Sequence, residues 1–153
     1  MKSEPAAFSF DALKAKAGRT EHWDGVRNYQ ARNFVREMRV GDLVLFYHSN
    51  CEQPAAVGIA EVARDPYPDF TAWDRSSEHF DPASTPEFPR WFMVDVRWKQ
   101  AFDEPVTLSD MKSMPELKAM RLLKRGNRLS VMPVTNEQFD AIAARGMKRR
   151  LPE

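Results

Sequence analysis

Two short stretches hold most of the side chains suited to chemistry: W-D-G-V-R-N-Y-Q-A-R-N at 23–33 and F-Y-H-S-N at 46–50. In the first, the Trp23 indole is a stacking face and Gly25 lets a backbone approach a ligand closely. Val26 follows, and then Arg27 and Asn28 bring planar donors and acceptors suited to a base edge or a phosphate. Trp23 alone would read as ordinary core; its polar neighbours shift the reading to a ligand wall. In the second stretch an apolar run through Phe46 ends abruptly in Tyr47, His48 and Ser49, which are polar-tipped side chains at a strand end. Recognition of a flat, polar-edged ligand is the chemistry these residues favour. The alternative is an enzyme acting on a nucleobase or small polar molecule, with His48 as general base and Glu4 or Tyr47 assisting. Cys51 lies three residues from His48, but no orienting third residue and no zinc-type spacing accompany the pair. Neither a catalytic motif, nor a metal, nor a cofactor is therefore expected.

The 153 residues, 42% hydrophobic, are enough for the core of a single domain spanning 1–153. One cysteine forms no internal disulfide, and no apolar run reaches membrane-spanning length. A cytoplasmic protein without a membrane partner is the expectation, while oligomeric state is left open. Lys and Arg number 23 against 22 Asp and Glu, so any nucleic-acid contact must use a local basic face. The run Lys118, Arg121, Lys124, Arg125 and Arg128 is the candidate to track phosphates. Arg32, Arg36 and Arg39 read as the solvated face of a helix.

The elements that must position these residues follow from caps and periodicity. Ser9 is an N-cap for a first helix that Gly18 stops, and Asn28 caps a second through Met38, with Ala31, Phe34, Val35 and Met38 as its buried stripe. Residues 43–48 and 57–63 read as paired strands, with Gly58 marking a close backbone approach. The stretch 65–90 holds Pro66, Pro68, Pro82, Pro86 and Pro89 around Trp73 and His79, and reads as an ordered functional loop. Residues 91–102 form the longest strand, with Trp98 in the core. Thr107 caps a short helix, Gly126-Asn127 makes a hairpin-type turn, 129–134 forms a last strand, and Thr135 to Gln138 make a capping box. The tail Lys148-Arg149-Arg150 is expected to fray. Strands in the middle with helices at either end predict an α+β fold, a small curved or closed antiparallel-rich sheet with peripheral helices.

Several of these motifs together carry a resemblance. K-S-E-P at 2–5, the 23–33 run, G-D-L-V-L-F-Y-H-S-N at 41–50, G-I-A-E-V at 58–62, P-R-W at 89–91 and R-L-S-V-M-P-V at 128–134 resemble the EVE domain family over essentially the whole chain. The resemblance implies a PUA-like small β-barrel related to YTH domains. It also implies a partner, a nucleic acid carrying a modified base, especially modified cytosine in DNA, or else a small nucleobase-like ligand. Lys2 and Ser3 resemble the Lys-Ser pair that opens the YTH pocket, and Trp23 resembles the first wall of its aromatic cage. Residues 46–50 resemble the flanking strand end, and Trp73 or Trp91 is the second wall. Arg128 resembles a family position near the site. K-S-E-P opens the chain abruptly, as the end of something whose beginning is absent. Glu4 departs from the YTH pattern; it is suited to accept from an exocyclic amine or to pair with Arg27. Trp23, Tyr47, His48 and Ser49 are expected to line one concavity.

Overall fold

The structure, a computed structural model, describes residues 1–148; Arg149 and Arg150 lie outside them. Five strands form one sheet: β1 (Lys2–Ser3), β2 (Thr20–His22), β3 (Leu43–His48), β4 (Ala55–Pro68) and β5 (Phe92–Thr107), in the order β1-β3-β4-β5-β2. Pairing is antiparallel except for β1 beside β3, where Lys2 lies opposite Tyr47 and Ser3 opposite His48. The sheet is open, with β1 and β2 at its edges. The α+β class holds, and the closed form of the barrel is not made by these five strands. Strands β4 and β5 are longer than their alternation suggested, because repeated register shifts let one pairing continue around a bend.

Helices α1 (Phe10–Ala15), α2 (Tyr29–Glu37), α3 (Leu108–Lys112) and α4 (Asn136–Gly146) start where capping chemistry places them. The Ser9 hydroxyl accepts from the Ala12 amide, Asn28 from Ala31, Thr107 from Asp110 and Thr135 from Gln138. The last two are full capping boxes, satisfying two otherwise unpaired amides each.

Period-two alternation divides β3 between two cores. Val44 and Phe46 face α1 and α2 with Phe10, Leu13, Val35, Val62, Val94 and Val96. Tyr47 faces the other way, toward Met111, Leu117, Met120 and Ile142 beside α3 and α4. Gly58 lies where α1 meets the sheet: a Cβ there would fall 2.2 Å from the Phe10 ring and 2.6 Å from the Gln100 carbonyl. The close backbone approach expected at Gly58 is made by the first residue of a helix.

Two expectations change, and one strand was not foreseen. Residues 129–134 are not a strand; Leu129 and Val131 are buried in irregular backbone, and the Ser130 carbonyl accepts from the Lys2 amide. The segment is apolar because it seals one core, so its burial pattern imitated a strand. The turn at Gly126, with φ of 78°, consequently joins no hairpin; Asn127 instead ties it to the Arg121 carbonyl and the Leu129 amide. Thr20–His22, too short and polar to announce itself, completes the sheet edge beside β5.

Gly58→Ala should destabilise the protein by about 1–3 kcal/mol through overpacking against Phe10. The chemical denaturation midpoint should fall with the slope unchanged, and an unaltered midpoint would show that α1 is not held against β4 in this way.

Candidate nucleic-acid interface

The backbone of Trp23 extends the β2 edge, its amide donating to the Val94 carbonyl over 2.8 Å. The side chain is half-buried. Phe46 meets it at 5.4 Å between ring centroids and 89° between planes, and Phe8 at 6.4 Å and 73°. Perpendicular packing fixes the plane of the indole, and among the described residues no aromatic ring stacks parallel to it. Phe46 itself is fully buried, so it is a support under the site.

His48 lies 5.8 Å from Phe46 on the same side of β3. Its Nε2 accepts from the Phe10 amide over 3.1 Å, which places the ring proton of the neutral form on Nδ1. Burial pushes the imidazole pKa down, and the charge of Asp11 only partly opposes it. The lone pair that general-base work would need is thus engaged in holding the start of α1. Around His48, the Ser3 hydroxyl donates to the Phe8 carbonyl over 2.5 Å, the Ser49 amide donates to the Ser3 carbonyl over 2.9 Å, and Asn50 Nδ2 donates to Glu4 over 3.1 Å. Ser3, Glu4, Trp23, Phe46, His48 and Ser49 therefore share one neighbourhood.

Tyr47 and Lys2 do not belong to it. Alternation sends both to the opposite side, where they line a cavity of about 610 Å³ with Met111, Met132, Phe139 and Ile142. Trp23, His48 and Ser49 are not among that cavity's walls, so one concavity does not hold all four residues expected there. Burial lowers the Lys2 pKa in this setting.

A second neighbourhood is built on Asp69, whose side chain is 0% exposed. Its carboxylate accepts from the Gly25 amide at 2.9 Å, from Arg27 Nη1 at 3.0 Å, and from the amide and hydroxyl of Thr71 at 2.9 and 2.5 Å. Burial alone would raise this carboxyl. The hydrogen bonds from Thr71, Gly25 and Arg27, with the Arg27 charge, outweigh it and hold the pKa below the ordinary value. Arg27 also donates through Nε and Nη2 to the His79 carbonyl at 3.1 and 2.7 Å. Residues 65–68 of the expected loop extend β4, and this clamp holds the remainder over the 23–28 stretch. Glu4 takes no part: the alternative pairing with Arg27 is replaced by Asp69.

Gly25, at φ of 82°, is indeed a place of close approach, but the imidazole of His79 makes it; a Cβ would lie 2.6 Å away. Val26 is core, and the Asn28 side chain is committed to capping α2. Trp91 is 5% exposed; Tyr29 stacks on it at 4.9 Å and 24°, Arg27 lies 5.4 Å from its ring, and its Nε1 donates to Asp81 over 2.7 Å. Its neighbours are thus the protein's own groups. Trp73 is half-buried and its Nε1 has no hydrogen-bond partner. Arg128 is exposed. Asp69 was missed, and His79 and Tyr29 were named within their stretches without these roles: Asp69 follows a proline in a loop, and nothing local says that its partner lies 42 residues away.

Two expectations can be measured. Asp69→Ala should cost about 3 kcal/mol at pH 7, the low end for breaking a buried pair because Arg27 stays 23% exposed. Because the Asp69 pKa is lowered on folding, this advantage is present above the ordinary carboxylate range and is lost as pH falls through the folded value. Melts of wild type and variant should converge at low pH, and a constant gap would contradict the clamp. His48, also lowered, favours the neutral form in the fold, so stability should decline as pH falls through the ordinary histidine range. His48→Gln can accept the Phe10 amide without titrating, and its stability profile should be flatter between pH 7.5 and 5.

The EVE domain family matches residues 1–145. Thymocyte nuclear protein 1 of mouse is 43% identical over 93% of this chain and 70% of its own length. A hypothetical protein from Leishmania major has a solved structure 48% identical, covering 97% of this chain and 92% of that one, with a TM-score of 0.91. The human THYN1 protein, solved in complex with DNA containing 5-methylcytosine, is 39% identical over 98% of this chain and 97% of its own, with a TM-score of 0.92.

Proposed function

The chain belongs to the EVE domain family, and on that premise we propose that it is a nucleic-acid-binding module that takes one modified base, a modified cytosine in DNA, beside Trp23. The observation that carries the reading is the Trp23 indole itself: half-buried, fixed in plane by two perpendicular rings, and with no parallel partner among the described residues. A base stacked there gains on the order of 1–3 kcal/mol. The likeness to human THYN1, whose structure contains 5-methylcytosine DNA, supports both the ligand class and the choice of DNA. Ser3, Glu4 and Ser49 stand in the same neighbourhood to meet the polar edge, and a carboxylate such as Glu4 suits the exocyclic amine of cytosine.

Binding without turnover fits the state of His48 better than catalysis does. Its Nε2 is occupied by a backbone amide, and its lowered pKa follows from burial. Trp73, with an unpartnered indole N–H, and Trp91, stacked on Tyr29, are the remaining choices for an opposing wall. We favour Trp73, because Trp91 already has a parallel ring against it.

The test is affinity for matched oligonucleotides that differ at one base, cytosine or 5-methylcytosine. Trp23→Ala should erase the preference and weaken binding to the 5-methylcytosine strand by about 5- to 150-fold, the size of the stacking term. Trp23→Phe, which preserves an aromatic wall and the packing on Phe46, should retain part of it. Full discrimination by a folded Trp23→Ala protein would sink the reading.

A further inference from the structure

The near-balance of charge hides an uneven arrangement. Among the described residues, the arginines paired to carboxylates are Arg27, Arg97 and Arg145. Those on and beside α2 are held in another way. The Arg32 guanidinium lies 4.9 Å from the Tyr29 ring and donates to the Arg90 carbonyl, Arg36 lies 4.7 Å from Phe92, and Arg121 lies 5.2 Å from Phe34. Arg39 donates to the carbonyls of Arg36 and Met38 at the end of the helix. Ring faces and carbonyls order a guanidinium without neutralising it, and leave other N–H groups for a partner. Arg36, Arg39 and Arg121 are exposed. The acid of α2, Glu37, lies beside the Met111-lined cavity with Phe34 and Met38, and Asp42 and Asp65 are spent on the backbone amides of Arg39 and Val40.

Resting on the nucleic-acid reading above, we infer that the arginine face of α2, Arg32 and Arg36 with Arg39 just beyond them, grips the phosphodiester backbone of the strand whose base reaches Trp23. Arg32 and Arg36 stand one turn apart, ~6 Å along the helix axis, and Arg39 follows just past the C-cap Met38, so the row can meet successive phosphates of one strand. It adjoins the site directly, because Tyr29 beneath Arg32 stacks on Trp91, and Trp91 neighbours the Arg27 clamp. The later basic run differs: Lys124, Arg125 and Arg128 are exposed, and among the described residues their side chains make no ring or carbonyl contact. Arg121 reaches α2 over Phe34, on the flank opposite Arg32 and Arg36. Charge complementarity therefore selects the α2 face, where the solvated helix surface expected from sequence is an ordered cationic ladder.

The experiment is a salt titration of binding to a 5-methylcytosine duplex and its unmodified twin. The double variant Arg32→Gln/Arg36→Gln should weaken both by the same factor and lower the slope of log affinity against log salt by about two units, leaving the ratio between them unchanged. Arg32→Lys/Arg36→Lys should restore the slope, and Lys124→Gln/Arg125→Gln should keep that of wild type. Melts establish that each variant is folded. An unchanged slope in the first variant, an equal loss in the Lys124 and Arg125 variant, or no binding of wild type to either duplex overturns the proposal. So does an arginine-dependent affinity for phosphatidylserine vesicles with duplex binding unaffected. If wild type shows no base preference while the slope still falls with the α2 arginines, the stacking site is wrong and the phosphate face stands.

Discussion

A carboxylate with no access to water must be fully paired, and Asp69 imposes that constraint on everything around Trp23. With its side chain 0% exposed, Asp69 would be costly to ionise without donors on its oxygens. Thr71 supplies two donors from its own loop, while Gly25 and Arg27 supply two from the stretch that carries the indole. Arg27 then spends its other N–H groups on the His79 carbonyl. One buried charge thus ties the loop after β4 to the segment after β2. The left-handed backbone of Gly25 belongs to the same arrangement: the amide reaches Asp69 while the missing Cβ leaves room for His79.

The sheet does the complementary work from below. Phe46, fully buried, touches Phe10 at 4.9 Å, Trp23 at 5.4 Å and His48 at 5.8 Å. A single core ring therefore couples the seating of α1, the plane of the indole and the position of the imidazole. His48 closes the circuit by accepting the Phe10 amide, a donor that the first turn of a helix leaves without an intrahelical partner. The polar residues at the end of β3 are used first to build the site. Ser3, Glu4, Ser49 and Asn50 bond across the β1–β3 end in the same way.

Electrostatics follow a similar division. Carboxylates are gathered where they have structural employment, as Glu61 is with Arg97 and Lys99, Asp110 with Arg145, and Asp69 with Arg27. The α2 face is left with the guanidinium groups of Arg32 and Arg36 resting on rings. A chain with almost no net charge can in this manner present a cationic surface, since the field at short range depends on where charges lie rather than on their sum.

What the sequence determined alone is local: the four caps at Ser9, Asn28, Thr107 and Thr135, the paired strands β3 and β4, the close approach at Gly58 and the prominence of the 23–28 stretch. Each rests on interactions within a few residues, or on a periodicity that survives in one dimension. Tertiary structure decided the rest. Tyr47 parts company with His48 because neighbouring residues of a strand face opposite ways and both faces of β3 are apolar, so the pattern named no inner side. Residues 129–134 are buried without being a strand, since burial and pairing are separate facts that leave the same apolar signature. Asp69 finds Arg27 across 42 residues, and Trp91 finds Tyr29 across 62 by stacking; such partners are chosen by the path of the folded chain, which no spacing in the sequence records.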